Sequence, residues 1–400
     1  MSVKIIKASC FQKTFVAVTI CILATLVFAR HANGNPDDSQ PVGPKITIAN
    51  YEDFEVVRFP VVLLRGEIPD VQEGTAVVEN LSSSLPSRIM RSKIYRGRFK
   101  ILAELTEGVN RLSISADAQR LDFTLIYRPN RNPRFLRLIY FFDSSGLHEV
   151  EVPPEWLDGR SDDEVPSTNF VGKLQTAARL WQTATAERLY DAGYGRRTFR
   201  LETDDAGQVV VWKQRGKRTK EEYCAKSELE RFNEVYKEVV SGPAYSENAC
   251  YFIVTAFGGG SKPGEDQGRI ALGSDLAAML DANTLFAWPD DLSDAIDWLS
   301  DPTPISDVWS RDSAYRNTRW ALTASTLGAG LHELGHAFGL NHSTDPNDFM
   351  SRGFDRFNRI FTLVEPASAF SSGGDFSEED VVEWTESTAP QLIRSEWIEE

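Results

Sequence analysis

Histidine and cysteine are scarce in this chain of 400 residues, which has five histidines and four cysteines. Three of the five histidines, His332, His336 and His342, nevertheless fall within one short stretch. Only His31 and His148 lie elsewhere, so a second metal site held by several histidines is excluded. The clustering of a rare metal-binding residue type predicts a single metal site at 332–342.

The chain also lacks an excess of positive charge. Lysine and arginine number 43 against 58 aspartates and glutamates, which gives a formal net charge of −15. This balance argues against nucleic acid or an anionic membrane as the main partner. The glycine run at 258–260 lacks the following lysine and serine or threonine of a phosphate-binding loop. The composition is otherwise that of a globular protein with several domains.

No hydrophobic run is long enough to predict a spanning helix, which needs about 20 apolar residues. The apolar run at 15–29 follows Lys4, Lys7 and Lys13 and ends in a small-residue cleavage site. This pattern is typical of a secretory signal peptide, predicted at 1–29 and followed by a linker at 30–43. We therefore expect a secreted, extracellular protein without stable membrane insertion, and an uncleaved signal anchor is the alternative.

Secretion implies an oxidising compartment for the two cysteines of the mature chain, Cys224 and Cys250. An even pair in that setting predicts a disulfide bond, and two separate buried thiols are the alternative. Asn80 begins an Asn-Leu-Ser sequon and is the candidate glycosylation site. Asn341 also begins a sequon, but it precedes His342 and is the weaker candidate.

The pattern of apolar residues divides the mature chain into three parts. Residues 44–152 contain short β-rich runs separated by turn residues, which predicts an antiparallel β-sandwich. Residues 153–370 mix helical and strand periods, with amphipathic helices at 171–189, 220–240 and 320–340 and a buried strand at 251–257. Residues 371–400 are predicted to be an acidic C-terminal tail. The expected fold class is therefore multidomain, with an all-β sandwich followed by an α+β domain.

The metal-binding stretch has the spacing of a catalytic zinc site. His332 and His336 are four residues apart and share one face of a helix. Gly339 allows a turn with a left-handed backbone, which would return His342 as a third ligand. Three imidazoles and a water are an open zinc coordination, and Glu333 is placed to deprotonate that water as general base.

The run from His332 through Glu333, His336 and Gly339 to His342 resembles the zinc signature of the metzincin metallopeptidases. The likeness implies a methionine turn, for which Met350 is the candidate, and 332–351 look most like the matrixins. It also implies that an edge strand pairs with the substrate backbone, with 270–272 as the candidate. Some metzincins place a tyrosine two residues after this methionine, where this chain has Arg352. No oxyanion stabiliser is therefore assigned.

A wider stretch, 168–362, resembles a less characterised eukaryotic family of zinc metallopeptidases. The matching features are the runs at 178–181, 197–201 and 352–359. Together the resemblances imply a secreted endopeptidase with one catalytic zinc ion, acting on proteins or peptides, while the oligomeric state stays undetermined.

Two alternatives remain open from the sequence. One is a secreted adhesion or matrix-binding protein with a non-catalytic zinc site, in which Asp345 or Asp348 would complete the coordination. The other is hydrolysis of a non-peptide amide or ester at the same zinc site.

Overall fold

The computed structural model describes residues 45–147, 150, 152, 168–257, 270–305 and 312–398. The predicted signal peptide at 1–29 and linker at 30–43 lie outside the described residues. Among the helices in the described ranges, none combines the length and apolar character that crossing a membrane requires.

The N-terminal part forms one eight-stranded, mostly antiparallel sheet in the order β1-β3-β6-β5-β4-β7-β8-β2. A continuous hydrogen-bonded ladder joins these strands, so two separate packed sheets, as the predicted β-sandwich requires, are not confirmed. The strands are β1 (Thr47–Ile48), β2 (Glu55–Val57), β3 (Val61–Glu67), β4 (Glu73–Asn80), β5 (Ile89–Tyr95), β6 (Arg98–Glu104), β7 (Gly108–Ala116) and β8 (Gln119–Tyr127).

A second sheet has five strands in the order β10-β9-β11-β13-β12. Neighbouring strands are parallel except the edge strand β12, which runs antiparallel to β13. We expected β9 in the N-terminal β domain, but it lies in this sheet, between β10 and β11. The strands are β9 (Phe135–Phe142), β10 (Val211–Arg215), β11 (Ala249–Thr255), β12 (Ala271–Ser274) and β13 (Ala277–Asp281).

Helices cover both faces of the second sheet. Two long helices, α1 (Phe170–Asp191) and α5 (Arg319–Ala337), belong to a core that includes Cys250 and Phe252 of β11. The helices α2 (Lys220–Cys224) and α3 (Glu228–Val240) contribute to another core with Tyr251 and Ile253. Because successive strand residues point to opposite faces, the two cores lie on opposite sides of the sheet. We expected an α+β domain here, and the mixture of helices and strands is confirmed, in the form of a mixed α/β fold with helices on both faces of a mostly parallel sheet.

Close packing fixes α1 against α5. The indole nitrogen of Trp181 donates to the carbonyl of Leu327 at 2.7 Å, and the same ring lies so close to Gly330 that a Cβ there would be 2.4 Å from it. Shorter elements complete this part: α4 (Ala295–Trp298), α6 (Asn358–Phe361) and 3₁₀ turns at Pro86–Arg88, Ala282–Ala287, Arg352–Arg356 and Glu378–Asp380.

The segment predicted as an acidic tail is folded onto the body of the protein. It contains β15 (Gly374–Asp375), which pairs with β14 (Val364–Glu365), and a short helix α7 (Ala389–Leu392). Trp384 and Trp397 are buried, and the ring of Trp384 lies 4.5 Å from that of Phe349. The apolar residues of this segment are few, but they are buried. The acidic average composition of the segment did not indicate this.

The predicted disulfide between Cys224 and Cys250 is wrong, since both thiols are free. The Cys224 thiol donates to the carbonyl of Phe257 beyond the end of β11, at 3.4 Å. Cys250 lies near the start of that strand, about 20 Å away at the usual rise per residue. The two side chains also belong to opposite faces of the sheet, so no bond can join them.

The candidate glycosylation site at Asn80 is also contradicted. Its side chain is 1% exposed and donates to the carbonyl of Glu104 and to Asn110, both at 2.9 Å. A buried amide that already satisfies two acceptors cannot carry a glycan in the folded protein.

Candidate active site

The three rare histidines meet at the C-terminal end of α5. His332 and His336 lie on one face of the helix, and the backbone turns at Gly339 with φ of +93°. His342 returns so that one ligand nitrogen of each imidazole lies within 4.8 Å of the others. The Nε2 atoms of His336 and His342 are 3.1 Å apart. Two nitrogens on one tetrahedral zinc lie about 3.4 Å apart, so this geometry fits a shared zinc ion.

Backbone carbonyls fix which nitrogen of two imidazoles is free. His332 Nδ1 lies 2.7 Å from the carbonyl oxygen of Phe349, and His336 Nδ1 lies 2.8 Å from that of Leu340. A carbonyl only accepts, so each Nδ1 carries the proton and each Nε2 keeps a lone pair. This tautomer is the one required for binding a metal through Nε2.

Burial favours the uncharged form of the two helical histidines. It lowers the pKa of His332 to about 4, and it lowers the pKa of His336 from its usual value. The neighbouring imidazoles lower both values further. These two histidines are therefore neutral at neutral pH, as metal ligands must be.

Glu333 is 8% exposed, and burial raises its pKa to about 7. The negative charge of Glu228 adds to this rise, while the backbone amide of Gly273 opposes it. A carboxyl group whose pKa is near neutrality is well matched to accept and return a proton.

The edge strand β12 crosses directly over α5 at this point. A Cβ on Gly273 would lie 2.3 Å from the backbone oxygen of Glu333 and 2.7 Å from Cβ of His336. Only glycine permits so close an approach between strand and helix. The candidate substrate-pairing strand therefore lies immediately beside the candidate base.

The structure places Met350 against the helix between the two helical histidines. Its side chain is fully buried, and its sulfur would be 2.2 Å from a Cβ on Gly335. Three further contacts were not predicted. Asp348 accepts from the amide of Met350 at 2.7 Å and from the hydroxyl of Thr388 at 2.6 Å, and the hydroxyl of Thr385 also donates to it.

These threonines lie in the folded C-terminal segment, 37 or more residues from Asp348. The sequence alone did not predict the hydrogen bonds from these threonines to Asp348. It showed only that Asp348 precedes Met350 by two residues. The C-terminal segment thus supports the turn whose Phe349 carbonyl orients His332.

Arg352 lies near the metal face without a defined catalytic contact. Its guanidinium pairs with Asp355 at 2.7 Å and donates to the carbonyl of Ser313 at 2.8 Å. Its side chain extends over the ring of Phe354, which contacts the His332 ring at 5.1 Å between centroids.

A sequence model of the family described as "Putative peptidase family" matches residues 45–398. The chain belongs to this family. The match includes the zinc motif, the edge strand and the folded C-terminal segment. The predicted resemblance to zinc metallopeptidases is confirmed, whereas the matrixin-like detail of the motif is not.

Two fungal relatives carry the description putative zinc metalloproteinase. One, from Schizosaccharomyces pombe, is 30% identical over 221 residues, which are 49% of this chain and 34% of the relative. The other, from Saccharomyces cerevisiae, is 25% identical over 364 residues, which are 82% of this chain and 50% of the relative. This member of the peptidase family therefore spans half or less of the length of these relatives.

Solved structures similar to this family member resemble it only partially. OgpA from Akkermansia muciniphila has a TM-score of 0.41 and 17% identity, covering 67% of this chain and 62% of its own. An archaemetzincin from Methanopyrus kandleri has a TM-score of 0.24 and 15% identity, covering 58% of this chain and 96% of its own.

Proposed function

We propose that the protein is a zinc-dependent endopeptidase in which His332, His336 and His342 hold one catalytic zinc ion and Glu333 is the general base. The observation that carries this proposal is the meeting of three imidazoles with a buried carboxyl group at one point. When bound, zinc would supply Lewis acidity toward a carbonyl oxygen and lower the pKa of a water molecule. Glu333 would take the proton of the attacking water and return it to the departing amine.

The edge strand favours a peptide over another amide or ester. The backbone amides of Ala271 and Gly273 both face away from β13, where they are bonded to the side-chain carboxyl groups of Glu228 and Glu333, which a substrate backbone would replace. Such an edge can hold an extended main chain by β-type pairing. A small amide or ester has no extended backbone with which to use it.

The alternative of a purely structural zinc site has little support. Among the described residues, the group that could hold a metal consists of the three histidines alone. Asp348, which was considered as a fourth ligand, already accepts from Met350, Thr385 and Thr388. A closed structural site needs four protein ligands.

The experiment compares the wild type with Glu333→Gln and with Glu107→Gln, which removes an exposed glutamate from the connection between β6 and β7. Each protein is loaded with zinc, its metal content is measured and casein cleavage is followed. We expect about one zinc per chain in all three proteins. Cleavage should fall by a factor of about 10²–10⁴ only in Glu333→Gln. Full zinc content without cleavage in the wild type would instead support the adhesion protein.

We also propose secretion, and this rests on residues 1–29 alone. A disulfide bond and a glycosylation site would also have indicated secretion. Because both thiols are free and Asn80 is buried, neither of them supports it. Expression of the full chain in eukaryotic cells, followed by N-terminal sequencing of protein from the medium, tests cleavage near residue 29. Retention of the intact chain in cells would contradict the proposal.

A further inference from the structure

The outward edge of β12 can be assigned from its hydrogen bonds. Asp281 N donates to the carbonyl of Ile270 at 3.1 Å, so Ile270 turns its polar backbone groups toward β13. Backbone groups alternate in direction along a strand. The amides of Ala271 and Gly273 therefore point outward, to the side where an extended peptide would lie.

Both outward amides already have a carboxyl partner. The amide of Gly273 is hydrogen-bonded to the carboxyl group of Glu333, the proposed general base. Ala271 N donates to Oε1 of Glu228 at 3.1 Å. Glu228 is the first residue of α3, which packs on the sheet face opposite the catalytic helix. A capping box between Ser227 and Glu230 fixes the start of α3, and so fixes where this carboxylate stands.

A substrate main chain that pairs with β12 must offer its own carbonyl to the amide of Ala271. Glu228 then loses a charge-assisted hydrogen bond, which is stronger than the neutral bond replacing it. Because α3 is anchored, the displaced carboxylate stays beside the bound peptide. A lysine or arginine side chain of the peptide can compensate its charge, whereas an acidic side chain is repelled.

We propose that Glu228 is a specificity-determining residue, displaced from Ala271 by the substrate backbone and selecting peptides with a basic side chain at that edge. This inference rests on the proposed peptidase function. Glu228 is exposed in the free protein and therefore has room to move once displaced.

A purely protective role for Glu228 would look different. Unpaired edge strands are often blocked by charged residues to prevent association with other chains. In that case, removing the charge would change stability or aggregation and would leave peptide selectivity unchanged. The substitution Glu228→Gln separates the two roles, because glutamine can still accept from Ala271 but carries no charge.

Peptide binding is measured first, with a variant that is expected not to cleave the peptides. Zinc-loaded Glu333→Gln is titrated into fluorescently labelled ten-residue peptides that differ only by lysine, glutamine or glutamate at one scanned position. At one position we expect the lysine peptide to bind about fivefold more tightly than the glutamate peptide, a preference that salt reduces. Adding Glu228→Gln should bring that ratio close to one, whereas adding Glu107→Gln should preserve it.

The second arm uses the protein with Glu333 intact. We expect Glu228→Gln to change KM for the lysine and glutamate peptides in opposite directions. Any change in kcat that comes from the lost effect of Glu228 on the pKa of Glu333 should be the same for all three peptides. An unchanged lysine preference after Glu228→Gln, no preference at any position or no peptide binding would overturn the proposal. Selective binding without cleavage by the wild type would leave the role of Glu228 standing and contradict the peptidase function.

Discussion

Asp348 is the residue on which the methionine turn depends. Its carboxylate is fully buried and receives donors from both the turn and the C-terminal segment. Asp348→Asn keeps the shape of the side chain but removes its negative charge. It also replaces one acceptor oxygen by an amide nitrogen, which is a donor and would face the other donors around this site. We expect the turn to shift, the Phe349 carbonyl to hold His332 less firmly and zinc affinity to fall about tenfold to a hundredfold.

Zinc affinity is measured by competition with a chromogenic chelator. Asp345→Asn is the control, because Asp345 accepts from the amide of Asn347 and not from Met350 or the C-terminal threonines. Equal zinc affinities in the two variants would show that Asp348 does not position the site.

The two cysteines give a direct test of the corrected disulfide prediction. Cys250 is fully buried, whereas Cys224 is partly exposed, and burial raises the pKa of both thiols. We expect slow alkylation of Cys224 in the native protein and modification of Cys250 only after denaturation. Peptide mapping by mass spectrometry without reductant measures this. A linked peptide containing both cysteines would contradict the structure.

At the scale of elements, α5 depends on glycines where other elements touch it. Gly335 faces the sulfur of Met350 with no space for a Cβ. Glycine to alanine normally stabilises a helix by about 0.5–1 kcal/mol. Here we expect Gly335→Ala to lower the free energy of unfolding by about 1–3 kcal/mol, because the methionine turn must move away.

A double-mutant cycle isolates that contact. Met350→Ala alone leaves a cavity and should cost about 2–5 kcal/mol. Since the new methyl group then partly fills the space of the lost thioether, Gly335→Ala with Met350→Ala should cost less than the sum of the two, by about 1 kcal/mol. Denaturant unfolding measures all three variants, and strict additivity would refute the contact.

Local elements were predictable from the sequence and their partners were not. The period of apolar residues predicted α1 and α5 to within a few residues, because helical hydrogen bonds are local. The single helix predicted at 220–240 is two helices, α2 and α3. The sheet to which a strand belongs depends on pairing with residues that are distant in the chain, so β9 was expected in the wrong sheet. Likewise, the histidine ligands were visible in one stretch, whereas Glu228 and Thr388 reach the site only through folding.

At the scale of the whole molecule, Arg196 joins the N-terminal sheet region to α1. Its guanidinium lies 3.7 Å from the ring centroids of both Tyr51 and Tyr190. It pairs with Glu187 at 3.0 Å and with Glu55 at 2.7 Å. The carboxylate of Glu187 is 2% exposed and also accepts from the hydroxyl of Tyr51 at 2.5 Å. The N-terminal residues are thus tied to the catalytic half through a buried charge.

Arg196→Ala should therefore destabilise the entire described body, because it removes the nearer of the two cations beside the buried Glu187 and leaves only Arg65, at 3.6 Å. We expect a loss of at most about 3–5 kcal/mol in the free energy of unfolding. Arg196→Lys should lose less, since it keeps the charge but not the planar stacking between two tyrosines. The control is Arg120→Ala, which breaks an ion pair 59% and 75% exposed and should cost less than about 1 kcal/mol.

Arg196 lies just after α1, whereas its partners Tyr51 and Glu55 belong to the N-terminal region, so the test needs one signal from the metal site and one from the whole fold. Near-ultraviolet circular dichroism and zinc release are followed together during denaturation. If the two halves fold as one cooperative unit, both signals should shift to the same lower denaturant midpoint in Arg196→Ala. Zinc release at the wild-type midpoint, with only part of the dichroism lost early, would mean that the N-terminal sheet unfolds independently and that Arg196 does not couple it to the metal centre.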